Sequence, residues 1–220
     1  YTYLWYGCRG GYKSIKNQST NCHIRPHMGS FFVILGVSKI YLMQLRPHQE
    51  KAIQAMSRHD KGQVIVPTGG GKTICMIQDA IEQFKSDRLK TIVVVAPRIL
   101  LANQLCEEFL EFIDDVDVLH VHSGETHHQS TTNSKVIEEW YWASKKHQLI
   151  FTTYHSLHKI QDATAMLPDT VYFDEAHNAV QKNFIEAVEH HSMYALRNYF
   201  FTATPKHSFT PFKVGMNDTD

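Results

Sequence analysis

From residue 45 onward, short apolar runs rich in β-branched residues alternate with longer stretches in which apolar positions return every three or four residues. The short runs predict strands over 63–67, 91–96, 117–122, 149–153, 171–174 and 199–203. The stretches between them predict helices over 47–58, 73–85, 98–113, 134–146, 154–161 and 178–190. Runs such as TIVVVA (91–96) are apolar without alternation, which implies burial on both faces. The expected class is therefore α/β, a mostly parallel sheet with helices on both faces. Ligands of such sheets bind beyond the carboxyl ends of the strands, so the residues that follow each strand are the ones to read for chemistry.

Most of the polar strings fall at those ends: Pro67 to Thr73, Ala96 to Arg98, Thr152 to Tyr154, Asp174 to His177 and Thr202 to Pro205. The helix start from Arg46 to Gln49 is the exception. PTGGGKT (67–73) lies between an apolar strand and a helical stretch and resembles the phosphate-binding loop. In such loops backbone N–H groups cradle phosphates, so Pro67, Thr68, Gly69, Gly70 and Gly71 would line the cradle. Lys72 would meet the β and γ oxygens and the Thr73 hydroxyl would ligate Mg²⁺. The general pattern places glycine one residue before Pro67, where this chain has Val66.

Composition narrows the picture without naming a partner. The chain has 220 residues, 43% of them hydrophobic, enough to bury one sizeable core. Its 22 basic and 22 acidic residues cancel, so any nucleic-acid surface must be local. Cys8, Cys22, Cys75 and Cys106 show no C-x-x-C spacing and read as reduced thiols of a cytosolic protein, with Cys75 and Cys106 on apolar helical stretches. Fifteen histidines are many, but His120, His122, His127 and His128 have no cysteine or acidic neighbour at metal-site spacing and read as structural. The run FFVILGV (31–37) is far shorter than the ~20 residues a membrane span needs and reads as a strand. No small-x-small cleavage site accompanies it, and residues 1–30 match no motif.

Taken in order, LRPHQ (45–49), PTGGGKT (67–73), APRILLANQ (96–104), TTYHSL (152–157), DEAH (174–177) and TATP (202–205) resemble the first RecA-like domain of superfamily 2 helicases. The strings look closest to the branch that contains restriction-enzyme motor subunits and phage DNA helicases. The resemblance implies a RecA-like P-loop nucleoside-triphosphatase domain over 45–205, ATP and Mg²⁺ as ligands, and DNA as the polymer, with RNA an open alternative. It also implies roles. Asp174 would hold Mg²⁺, Glu175 would polarise the attacking water, and His177 would couple the nucleotide site to Thr202 and Thr204. Gln49 would read the adenine edge with Arg46 beside the base, since an amide donates and accepts at once. Arg98, Gln104 and Thr153 would touch the sugar-phosphate backbone of a strand, contacts that position without reading sequence. Leu100, Leu101 and Leu105 read as core, and Trp140, Tyr141 and Trp142 as packing residues with one ring buried.

In that family ATP sits between two RecA-like domains, the second supplying arginine fingers. Residues 206–220 then read as a tail leading toward such a domain, and 1–44 as a segment with no assigned role. The chain alone is expected to bind ATP·Mg²⁺ weakly and to hydrolyse it slowly. A location in the cell interior, bacterial or phage-related, and no membrane association go with this reading. A restriction-system motor subunit and a non-catalytic nucleic-acid-binding module are the alternatives, the latter disfavoured by intact Lys72, Thr73, Asp174 and Glu175.

Overall fold

Successive side chains of a strand point to opposite sides of its sheet, and here both sides are apolar. Val93, Val95, Ile150, Val171 and Phe173 enter one core, while Ile92, Val94, Leu149, Phe151 and Tyr172 enter another. The computed structural model describes residues 6–7, 44–163 and 166–204. Within them, α1 (Pro47–Met56), α2 (Lys72–Phe84) and α3 (Ile99–Leu110) cover the second core. The first lies under α4 (Ser134–Ala143), α5 (Leu157–Gln161) and α6 (Ile185–Tyr194). Three helices on each face leave the central strands no exposed side, which explains their unbroken hydrophobicity.

The strands are β1 (Tyr6–Gly7), β2 (Lys61–Ile65), β3 (Thr91–Ala96), β4 (Val116–Val121), β5 (His147–Thr153), β6 (Thr170–Phe173) and β7 (Arg197–Thr202). Their spatial order is β1-β2-β7-β6-β3-β5-β4. All neighbours from β2 to β4 are parallel, and only the two-residue β1 runs antiparallel, on β2. The expected α/β class and mostly parallel sheet are what the chain forms.

Three expectations need correction. The helix expected over 178–190 is displaced: a 3-10 turn occupies Ala176–Asn178, and α6 begins at Ile185. Glu175 takes a left-handed conformation (φ 46°), and Asn178 Nδ2 donates to the Glu175 carbonyl at 2.9 Å, so the chain turns tightly before a helix can start. Of the leucines expected in the core, Leu105 is buried and Leu101 packs against it, but Leu100 is 77% exposed. None of the three clustered aromatics is fully buried; Trp140 and Tyr141 pack against the core edge, and Trp142 faces outward. The strand read over 31–37, Cys8, Cys22, Pro205 and the tail 206–220 lie outside the described residues. Cys75 and Cys106 are buried free thiols, both pushed up to about 12 chiefly by burial.

His120 on β4 and His122 just beyond it are interior groups. His122 Nδ1 accepts from Gly124 N–H, so His122 Nε2 carries the proton and donates to His120 Nδ1 at 3.0 Å. That leaves the proton of His120 on Nε2, which is buried without a partner. Burial, with His122 and His128 nearby, pulls His120 down to about 4, and burial with His190 does the same to His191. An unfolded histidine titrates near 6.5, so between pH 6.5 and 4 the unfolded chain takes up protons that the folded chain refuses. Stability present above pH 6.5 should be lost progressively toward pH 4, by about 3 kcal/mol for each buried histidine. Urea midpoints at pH 7.5 and 5.0 check this, with His120→Phe expected to narrow the gap. Equal midpoints for the wild-type chain at the two pH values would refute it.

Candidate active site

The phosphate-type loop leaves β2 at its carboxyl end and feeds α2 directly. Gly69 (φ 72°) and Gly71 (φ 80°) take left-handed conformations that disfavour any side chain. Gly70 has no such φ, but a Cβ there would lie 2.5 Å from Val66 Cγ1, and one on Gly71 would lie 2.2 Å from Gln49 Nε2. Val66, which departs from the general pattern, is itself buried and roofs Gly70. Pro67, Thr68 and Gly69 are exposed, Gly70 is buried, and Thr73 lies half-buried in the first turn of α2.

Three residues at the start of α1 hold this loop from behind. Arg46 Nη1 donates to Gly69 O at 3.2 Å, His48 Nε2 meets Gly70 O at 2.7 Å, and Gln49 Nε2 donates to Gly70 O at 3.1 Å and Gly71 O at 3.4 Å. Gln49 Oε1 also accepts from Arg46 N–H at 2.8 Å, so every polar atom of that buried amide is engaged.

Facing the loop, the end of β6 presents acidic groups. Backbone pairing runs one residue beyond the strand, Asp174 N–H donating to Val95 O at 2.8 Å, and the buried Tyr154 hydroxyl donates to Asp174 O at 2.8 Å. Burial raises the Asp174 carboxyl to about 6, with Lys72 opposing and Glu175 adding to the shift. Glu175 Oε1 accepts from Lys72 Nζ at 2.5 Å, so two residues far apart in sequence meet. His177 Nδ1 lies 3.4 Å from both Glu175 Oε2 and Thr202 Oγ1. Asn178 Nδ2 can only donate, and it sits 3.3 Å from His177 Nε2; the His177 proton therefore belongs on Nδ1, between carboxylate and hydroxyl. Thr202 Oγ1 donates to Thr204 O and accepts from Thr204 N–H.

The structure thus joins Arg46, Gln49, the loop and Lys72 on one side to Glu175, His177, Thr202 and Thr204 on the other. It does not join the residues expected on the polymer to one another in the same way. Arg98 is exposed as the N-cap of α3, Gln104 is exposed and donates to Glu108 at 2.8 Å, and Thr153 is buried at the end of β5. Thr153, unlike the other two, keeps its side chain in the interior. The sequence assigns no role to His48 and Tyr154, which lie inside recognised strings, or to Asn178, which directly follows one; a polar group at each position is the only sign available.

The donor set fits a Mg²⁺-nucleotide complex. A cradle that one Cβ would fill, a lysine at the head of a helix, a hydroxyl at Thr73 and a half-buried carboxylate at Asp174 are oxygen and cation partners for phosphates and a hard metal.

Comparison with known proteins agrees with this geometry. The ResIII family, described as the Type III restriction enzyme res subunit, matches residues 42–207. The chain is similar to a nuclease-deletion mutant of the Type ISP restriction-modification enzyme LlaGI solved with a DNA substrate mimic. The two share 22% identity at a TM-score of 0.65, over 81% of this chain and 19% of that one. It is also similar to the Hef helicase domain of Pyrococcus furiosus, at 19% identity and a TM-score of 0.60, over 79% of this chain and 36% of that one. A third likeness is to the SWI2/SNF2 ATPase core of Sulfolobus solfataricus in complex with dsDNA. There the identity is 21% and the TM-score 0.55, over 74% of this chain and 32% of that one. These likenesses establish a shared fold, and the chain spans only a fraction of each of those proteins. No curated protein matches the chain.

Proposed function

Because the chain belongs to the ResIII family, we propose that it is an ATP-hydrolysing motor domain of a DNA translocase or helicase, at work in the cytoplasm of a bacterium or of a phage-infected cell. The observation that carries this reading is the Lys72–Glu175 contact, because it sets the phosphate-loop cation against the residue that would activate water. Lys72 and the loop N–H groups bind and orient the β and γ phosphates. Thr73 and Asp174 are the residues to hold Mg²⁺, which when bound neutralises charge on the phosphates. Glu175 takes the proton of the attacking water, and His177 ties that carboxylate to Thr202 and Thr204, the strand end through which the site would signal a bound polymer. Gln49 and Arg46, at the start of α1, would read an adenine edge, and the exposed Arg98 and Gln104 would meet a nucleic-acid backbone.

The family description and the likeness to the Type ISP enzyme LlaGI favour the restriction-motor form of this reading over a phage helicase. Equilibrium binding of a fluorescent ATP analogue, followed by turnover with and without DNA, tests the proposal. Weak Mg²⁺-dependent binding that disappears in Lys72→Ala, with slow turnover, is expected of this chain alone, whereas DNA-stimulated turnover would mark it as a working motor without a second domain. A wild-type chain that binds no nucleotide would instead make this a non-catalytic module.

A further inference from the structure

We propose that His48 is a positioning residue of the phosphate cradle, holding the Gly70 carbonyl so that the next N–H is aimed at phosphate. The inference rests on the nucleotide-site reading above and adds a residue to it.

A trans peptide points its C=O and the following N–H in opposite directions. Fixing Gly70 O against α1 therefore turns the Gly71 N–H away from α1, toward the open side of the loop. Two donors fix that oxygen, His48 Nε2 at 2.7 Å and Gln49 Nε2 at 3.1 Å. A carbonyl only accepts, so His48 must carry a proton on Nε2.

The two donors are not equivalent. Gln49 spends its two amide hydrogens on Gly70 O and Gly71 O and its oxygen on Arg46 N–H. Contact with an adenine edge would have to draw on that same amide, taking hydrogens off the loop at the moment phosphate arrives. His48 then remains on Gly70 O. Its shorter bond makes it the donor suited to hold the loop while Gln49 reads the base. Gly71 tolerates no side chain for the same reason: a Cβ would strike the Gln49 amide.

The test measures dissociation constants of the Mg²⁺ complexes of ADP and GDP for the wild-type chain, Lys72→Ala, His48→Phe, His48→Asn and His48→Gln. Gln places its amide nitrogen near the position of histidine Nε2, whereas Asn is too short. His48→Phe and His48→Asn should weaken both nucleotides by about tenfold and equally, the scale of one hydrogen bond, and His48→Gln should restore most of the affinity. Wild-type affinity in both His48→Phe and His48→Asn would overturn the role, as would an equal loss in His48→Gln. Lys72→Ala binding like the wild type, or no binding by the wild type, would overturn the nucleotide site itself and this role with it.

Discussion

Glu175→Gln is expected to leave nucleotide binding intact while cutting hydrolysis by about 10²- to 10⁴-fold, the range a positioned general base supplies. The amide has the shape of the carboxylate, so the left-handed turn at Glu175 and its Asn178 contact, which uses the backbone carbonyl, are undisturbed. What it cannot do is accept a proton. It also dissolves the ion pair with Lys72. Phosphate has to draw Lys72 away from Glu175 in the wild-type chain, so affinity should rise in the variant even as turnover falls. Single-turnover assays with the chain in excess over ATP resolve slow hydrolysis, and a parallel binding curve completes the comparison. Loss of binding together with turnover would mean that Glu175 shapes the site instead of reacting in it.

Asp79→Ala should destabilise the fold by about 3 kcal/mol, the lower end of the cost of breaking a buried ion pair, because Arg197 is partly exposed and keeps Asp60 within 3.9 Å. Asp79 lies on the sheet-facing side of α2 and receives both terminal nitrogens of Arg197, at 2.9 and 3.2 Å. Tyr172 and Gln83 donate to it as well, at 2.6 and 2.8 Å, while Arg197 also reaches the last carbonyl of α1 at 3.0 Å. One carboxylate thus ties α2 to β6 and β7, and through Arg197 to α1. The double substitution Asp79→Leu with Arg197→Met removes both charges and should cost clearly less than Asp79→Ala alone. Urea unfolding at neutral pH measures both. If the double variant were the less stable, the network would owe its value to attraction and not to satisfied burial.

Periodicity made the sheet legible in sequence. The strand read over 91–96 has those bounds in the structure, and the other strands from β2 to β7 shift by two residues or fewer, because doubly buried strands must be apolar throughout; the short β1 is not among the strands the sequence predicts. The motif strings located Lys72, Glu175, His177 and Thr202 at strand ends, where the fold brings them together. What stayed hidden depends on contacts that pattern does not encode. Ala176, Ala179, Phe184, Ala187 and Val188 are all buried, and their spacing suggests a longer helix, but a side-chain bond from Asn178 diverts the backbone first. Asp79 on an apolar helix face signals a buried partner, yet nothing local identifies that partner as Arg197. Leu100 belongs to an apolar run but lands on the outward side of α3.

The strand order has a consequence for how the molecule comes to exist. β2, the strand that feeds the glycine loop, joins the rest of the described parallel sheet only through β7, Lys61 lying opposite Asn198. β7 comes last among the described strands, so a chain growing on the ribosome makes the loop early and its neighbour late. Until β7 slots between β2 and β6, both of those strands carry an unpaired edge, the kind of surface that invites mispairing with other chains. Closing so long a loop also slows folding, since chain entropy is lost before the pairing rewards it. Assembly of the described sheet is therefore gated by the arrival of β7, and nascent chains lacking it cannot bring Thr202 to His177.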